Sequence, residues 1–132
     1  MIDDDMDDIN LTKEAFESLN VDVRFTYLLN ANEIESYLIE RSGKDNLRLI
    51  LLDLNMPVVN GKSILKHLKG NISYASIPVV VFTTSDAAEE RDECLKMGAS
   101  TFITKPAELR HWRVFVQALC FLYLKNCLSE QH

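Results

Sequence analysis

Apolar residues recur at helical spacing between Asp7 and Leu19, at Ile9, Phe16 and Leu19, with Thr12 on the same face and acidic residues where a first turn would lie. The spacing predicts a helix. From Val21 the period shortens: Val21, Val23, Phe25 and Tyr27 alternate with polar positions before Leu28 and Leu29, as in a half-buried edge-type strand. Asn30 followed by Glu33 gives a capping-box-like start to a second helix through Ile34, Tyr37 and Leu38, ending near Ser42 and Gly43. Arg48 to Asp53 reads as a strand, and its four aliphatic residues, Leu49 to Leu52, show no polar alternation. Such a run fits a strand covered on both faces of a parallel sheet. A turn around Pro57 and Asn60-Gly61 leads to a helix carrying Ile64, Leu65 and Leu68. Pro78 opens a second continuous run, VVVF, which ends at TTS. A helix from Asp86 to Met97 is closed by Gly98, a short strand TFIT follows, and Lys105-Pro106 ends it before a last helix.

Strand and helix alternate throughout, which predicts an α/β domain with a parallel sheet and helices on both faces. A flavodoxin-like, doubly wound sheet of five strands in the order 2-1-3-4-5 fits this alternation. Its first strand is largely missing from this numbering, because Met1-Ile2 is too short to supply the central strand that should end at the acidic cluster Asp3-Asp4-Asp5. The expectation is that upstream residues precede Met1. The 132 residues suit a single domain, residues 1–132, with one core.

A formal charge of −6 argues against binding nucleic acid or an anionic membrane through the general field of the molecule. Cys94, Cys120 and Cys127 form no CxxC pair and point to reduced thiols. The acidic N-terminus is unlike a signal peptide, and the most apolar segment, Val114 to Leu124, falls short of the roughly 20 residues needed to span a bilayer. These features describe a cytoplasmic soluble protein.

Asp53 stands at the C-terminal end of a buried strand, where open α/β sheets place their chemistry. Alone, it reads equally well as a turn-initiating aspartate. Four strand ends alter that balance, because Asp3-Asp4, Asp53, Thr83 and Lys105 should converge on one edge of the sheet. Carboxylates gathered in one place repel unless a hard cation joins them, and Mg²⁺ accepts one or two carboxylates together with water and phosphate oxygens. A lysine adds a point charge for phosphate, and a threonine hydroxyl can donate to it. The set suits phosphoryl transfer to a carboxylate, a reaction governed by positioning and charge neutralisation.

The stretches IDDD, LLDLNMPVVNG, VVVFTTS and FITKP, in this order and spacing, resemble the receiver domains of two-component response regulators over essentially the whole chain. The resemblance implies that Asp53 accepts a phosphoryl group from a sensor histidine kinase or a histidine phosphotransfer protein. It implies that Asp4 binds Mg²⁺ directly, that Asp3 supports it partly through water, and that Asn55 contributes its backbone carbonyl. Thr83 would bond the new phosphoryl group, Lys105 would pair with it, and Phe102 takes the place of the family's switch aromatic. Thr84 follows the switch threonine where the family often has Ala or Gly, and its bulk should slow access to the site. The long interval from Asp4 to Asp53, with extra residues around ERSGKDN, is similar to single-domain receivers paired with phytochrome-type sensor kinases.

After Lys105-Pro106 there is room for one helix and no output domain, so the action expected is a change of partner on a downstream protein target. The chain is not expected to be an enzyme beyond catalysing its own phosphorylation and dephosphorylation. A phosphorylation-independent pseudo-receiver is one alternative. A haloacid dehalogenase-like phosphatase is another, but it needs a second acid two residues after the nucleophile, where Asn55 stands. Asp5, Asp7 and Asp8 read as capping and macrodipole residues, and His67, His111 and His132 as surface histidines. The last helix is apolar on nearly every side between Val114 and Leu124, which predicts a partner on its second face, a homodimer or a kinase-docking surface.

Overall fold

The computed structural model describes residues 1–41, 47–57 and 60–125. Asp5 caps helix α1 (Met6–Glu17), its side chain accepting from the backbone N–H groups of Asp7 and Asp8. A short 3-10 turn (Ala31–Glu33) leads into α2 (Ile34–Arg41). Asn30 uses its side-chain oxygen on the N–H of Asn32 and its backbone carbonyl on the N–H of Glu33. The end expected near Ser42 and Gly43 lies outside the described residues.

Strand β1 (Ile50–Leu52) is followed by α3 (Gly61–Gly70), whose cap, Asn60, accepts from the N–H of Lys62. Strand β2 (Val79–Thr83), α4 (Ala88–Lys96), β3 (Thr101–Thr104) and α5 (Leu109–Tyr123) complete the alternation. Gly98, at φ 106°, turns the chain between α4 and β3, a backbone conformation that glycine adopts without a Cβ penalty.

The three strands pair in parallel in the order β1-β2-β3, with Leu52 opposite Val81 and Thr83 opposite Thr104. The first two strands of the expected five do not form ladders. Ile2 instead makes isolated parallel bridges to Leu28 on one side and Leu52 on the other. Their hydrogen bonds run from Ile2 N–H to the Leu51 carbonyl, from Asp53 N–H to the Ile2 carbonyl, and from Asp3 N–H to the Leu28 carbonyl. The order 2-1-3-4-5 therefore survives in miniature. Residues 22–27, expected as a strand from their alternation, form no ladder because the stub beside them is only a few residues long. A cavity of about 410 Å³ lies beside Met1 and Ile2, lined also by Val23, Phe25, Tyr37, Leu49 and Leu124 among others. Burial there pushes the terminal amine of Met1 down to about 5, against the opposing pull of Asp3.

The strands divide their side chains between two cores. Ile50, Leu52, Val79 and Val81 pack with Ile34 and Leu38 of α2, Ile64, Leu65 and Leu68 of α3, and Cys94 of α4. Leu51, Val80 and Phe82 pack with Ala15 and Phe16 of α1 and with Trp112, Phe115, Val116 and Leu119 of α5. This two-sided burial explains the unbroken aliphatic runs. Phe82 meets Trp112 edge-on at 5.3 Å between ring centroids and Phe115 at 4.1 Å, locking β2 to α5. Helix α5 also leaves Leu109, Val114, Phe121 and Leu122 more than half exposed, so its second apolar face is uncovered among the described residues. None of the described helices is long and apolar enough to cross a membrane.

Candidate functional site

Parallel pairing carries the C-terminal ends of the stub, β1, β2 and β3 to one edge, and each ends in a polar residue or is followed at once by one. Asp3 and Asp53 are almost wholly buried, while Asp4 is exposed. Oxygens from Asp3, Asp4 and Asp53 nevertheless lie within 4.8 Å of one another. Three hard oxygen donors so close, two of them shielded from water, fit a divalent cation such as Mg²⁺ with room for water or phosphate ligands. Asn55, expected to lend its carbonyl, is tied to this group because its backbone N–H donates to Asp53 Oδ1 at 3.2 Å.

The loop after Asp53 is held down by close packing. Gly61 sits so near it that a Cβ there would lie 2.6 Å from the Asp53 carbonyl oxygen and from Leu54 Cα. Only glycine permits this approach without a shift. The first turn of α3 thus presses on the backbone of the candidate acceptor.

Lys105 reaches across the edge from the end of β3, where its N–H donates to the Thr83 carbonyl at 2.7 Å. Its Nζ donates to Asp3 Oδ2 and to Asp8 Oδ2, both at 2.8 Å, and lies 3.6 Å from Asp53 Oδ2. Only 5% of the side chain is exposed, so these partners replace water. Burial by itself would lower the lysine pKa, but the bonds to Asp3 and Asp8 and the nearby Asp53 raise it, which keeps the ammonium charged. Burial pushes the Asp3 carboxyl up to about 6, against the Lys105 ammonium and the Asp5 backbone N–H, which favour the carboxylate.

Thr83 is fully buried at the end of β2, and its hydroxyl accepts from the Asn55 side-chain amide at 3.0 Å. The same amide approaches the Thr84 hydroxyl at 3.3 Å. Phe102 does not join this group. It is half-buried, opposite Val81 in the β2-β3 register, and packs on the α2-α3-α4 core two residues short of the Thr83-Thr104 pair.

Six expected residues thus converge, and one, Phe102, stands apart on β3. Asp8 is the residue that sequence reasoning placed otherwise, as a macrodipole acid. Its one available signal was its position four residues before Thr12, on the face that α1 buries.

The chain is similar to proteins of known class. The family model for the response regulator receiver domain matches residues 1–117. Response regulator Rcp1 from Synechocystis sp. is 27% identical over 129 residues, covering 96% of this chain and 88% of that protein. The crystal structure of the Mn²⁺-bound form of Rcp1 superposes with a TM-score of 0.83 at 25% identity, over 99% of this chain and 96% of the other. That of the phosphorylated cyanobacterial phytochrome response regulator RcpA superposes with a TM-score of 0.85 at 28% identity, over 98% of this chain and 95% of the other. Sequence and fold agree across nearly the full length, and the chain belongs to the response regulator receiver domain family of two-component systems.

Proposed function

We propose that the protein is a phosphoacceptor switch in which Asp53 takes a phosphoryl group from the phosphohistidine of a sensor histidine kinase or histidine phosphotransfer protein. The observation that carries this reading is the convergence of Lys105 Nζ on Asp3, Asp8 and Asp53, beside three carboxylates whose oxygens lie within 4.8 Å. In the transfer, an Asp53 carboxylate oxygen bonds to phosphorus as the bond from phosphorus to the histidine nitrogen breaks, and the imidazole leaves with that electron pair. Asp3, Asp4, Asp53 and the Asn55 carbonyl would hold Mg²⁺, which when bound neutralises charge on the transferring group. Lys105 supplies the remaining positive charge from within hydrogen-bonding range of the site, and the low exposure of Asp53 limits competing attack by water.

The new group brings about −1.5 to −2 of charge and strong acceptor oxygens. Thr83 would exchange the Asn55 amide for a phosphoryl oxygen, and Lys105 would move further toward Asp53. Phe102, on the same strand as the lysine's anchor, would turn inward as Thr83 moves, completing a two-state switch. Chemistry is confined to the protein's own phosphorylation and hydrolysis. The output is a change in affinity for a downstream protein, in the cytoplasm, with no nucleic acid or membrane as partner. The exposed apolar face of α5, with Leu109, Val114, Phe121 and Leu122, supports a homodimer through this helix.

The test is intact mass after incubation with acetyl phosphate and Mg²⁺. One phosphoryl adduct is expected, absent from Asp53→Asn and from a sample with EDTA. An adduct that persists on folded Asp53→Asn would overturn the acceptor assignment, and none on the folded wild-type protein would overturn the switch chemistry.

A further inference from the structure

Lys105 is the ion-pair partner that ties the site together, and only part of its hold comes from the metal-binding acids. An ammonium has three N–H bonds. One goes to Asp3 and one to Asp8, at equal lengths of 2.8 Å, whereas Asp53 stands at 3.6 Å. Asp8 lies outside the group formed by Asp3, Asp4 and Asp53. It projects from the first turn of α1 and is four-fifths buried.

Its position is itself fixed. The Asp8 N–H is turned to Asp5 Oδ1 at 3.4 Å, and its carbonyl accepts from the buried Thr12 hydroxyl at 2.8 Å. Thr12 in turn accepts from Trp112 Nε1 of α5 at 3.1 Å. The Asp8 backbone is therefore braced at the α1-α5 interface, and the carboxylate it carries accepts from Lys105. Asp7, one residue earlier in the same first turn, is exposed.

We infer that Asp8 is a positioning residue that holds the Lys105 ammonium toward α1 and competes with a phosphoryl group on Asp53 for it. This rests on the reading of Asp53 as the acceptor. A phosphoryl group on Asp53 needs the ammonium closer than 3.6 Å, and the Asp8 carboxylate opposes that movement. The phosphorylated form is thereby kept less well neutralised. Its decay is hydrolysis: water oxygen bonds to phosphorus, the bond to the Asp53 oxygen breaks, and orthophosphate and the carboxylate form. Replacing Asp8 with its neutral isostere leaves Lys105 free to stay with the phosphoryl oxygens.

The experiment loads the full chain with phosphoramidate and Mg²⁺, removes the donor, and follows loss of the adduct by intact mass in wild type, Asp8→Asn, Asp8→Glu and Asp7→Asn. Asp8→Asn is expected to lose phosphate roughly two- to fivefold faster, because a lysine released to the phosphoryl oxygens neutralises the charge of the transition state for hydrolysis, and that range is what a modest charge pair spans. Asp8→Glu should return toward wild type, and Asp7→Asn should match wild type. Both neutral variants remove one first-turn carboxylate, so an effect through the helix dipole would move them alike. Equal lifetimes for Asp8→Asn and wild type, or for Asp8→Asn and Asp7→Asn, overturn the inference while the acceptor reading stands. Failure of folded wild type to load would overturn the acceptor reading, and the inference with it.

Discussion

Replacing Gly61 with alanine sets two physical effects against each other. Alanine is preferred over glycine in a helix by up to about 1 kcal/mol, less in a first turn, so propensity alone forecasts a small gain in stability. The added Cβ, however, would lie 2.6 Å from the Asp53 carbonyl oxygen and from Leu54 Cα, and ordinary contact begins at 3.4 Å. The difference, 3.4 less 2.6, demands a shift of about 0.8 Å, and both atoms are backbone rather than the ends of flexible side chains. Overpacking of this kind costs about 1–3 kcal/mol, so the net expectation is a loss of about 1–2 kcal/mol. The displaced atoms belong to Asp53 and its neighbour, and a misplacement near 1 Å in a positioned reaction costs up to about 100-fold in rate. Urea denaturation should show the stability loss, and acetyl phosphate-driven labelling of folded Gly61→Ala should be slowed at least tenfold. A variant as stable as wild type that labels at the wild-type rate would refute the claim that α3 positions the acceptor through this contact.

Two other perturbations test the site's electrostatics and its brace. The Asp3 carboxyl, raised to about 6 against an ordinary 3.8, keeps its proton longer in the folded than in the unfolded chain. Between those values the folded state binds more protons, so Asp3's contribution to stability is present below about 4 and is lost as pH rises through 6. Cation binding needs the ionised form, so Mg²⁺ affinity measured by calorimetry should fall about tenfold per pH unit below 6; a flat profile from pH 5 to 7 would contradict this. Thr12→Val keeps the shape of a buried residue but orphans the Trp112 indole N–H, and should cost about 1–3 kcal/mol in urea denaturation, with an unchanged midpoint counting against the bond.

Much of this molecule was legible because parallel sheets buried on both faces leave strong signals. The runs at Leu49 to Leu52 and Val79 to Phe82 read as strands covered on both faces, and Ile50 to Leu52 and Val79 to Phe82 do divide their side chains between two cores, with the acid and threonine that follow gathered at one edge. The segment from Val21 to Tyr27 misled for a physical reason. Its alternation reports one buried face, which Phe25 and Val23 do supply against α1 and the α5 core, but a ladder also needs a neighbour of equal length. Met1 to Asp3 cannot provide one. Asp8 was hidden differently: a first-turn acid satisfies the helix dipole whether or not it has a tertiary partner. Sequence spacing held no record of a lysine 97 residues away.

The site carries a surplus of negative charge that any added phosphoryl group would increase. Taking the groups in their formal ionised states, Asp3, Asp4, Asp8 and Asp53 contribute four negative charges against one from Lys105, a sum of −3. Converting the Asp53 carboxylate to an acyl phosphate of charge about −2 makes the sum about −4. A divalent cation brings the two states to about −1 and −2. A phosphorylated state would be the more negative, by about one charge, so the position of Lys105, the lysine that meets these acids among the described residues, would decide how well it is tolerated. Lys105 already divides its bonds between Asp3 and Asp8 at equal distance. On the proposed reading, such a site would respond to phosphate through a change of lysine partner, and the partners themselves stand on α1 through Asp8 and Thr12 and on α5 through Trp112.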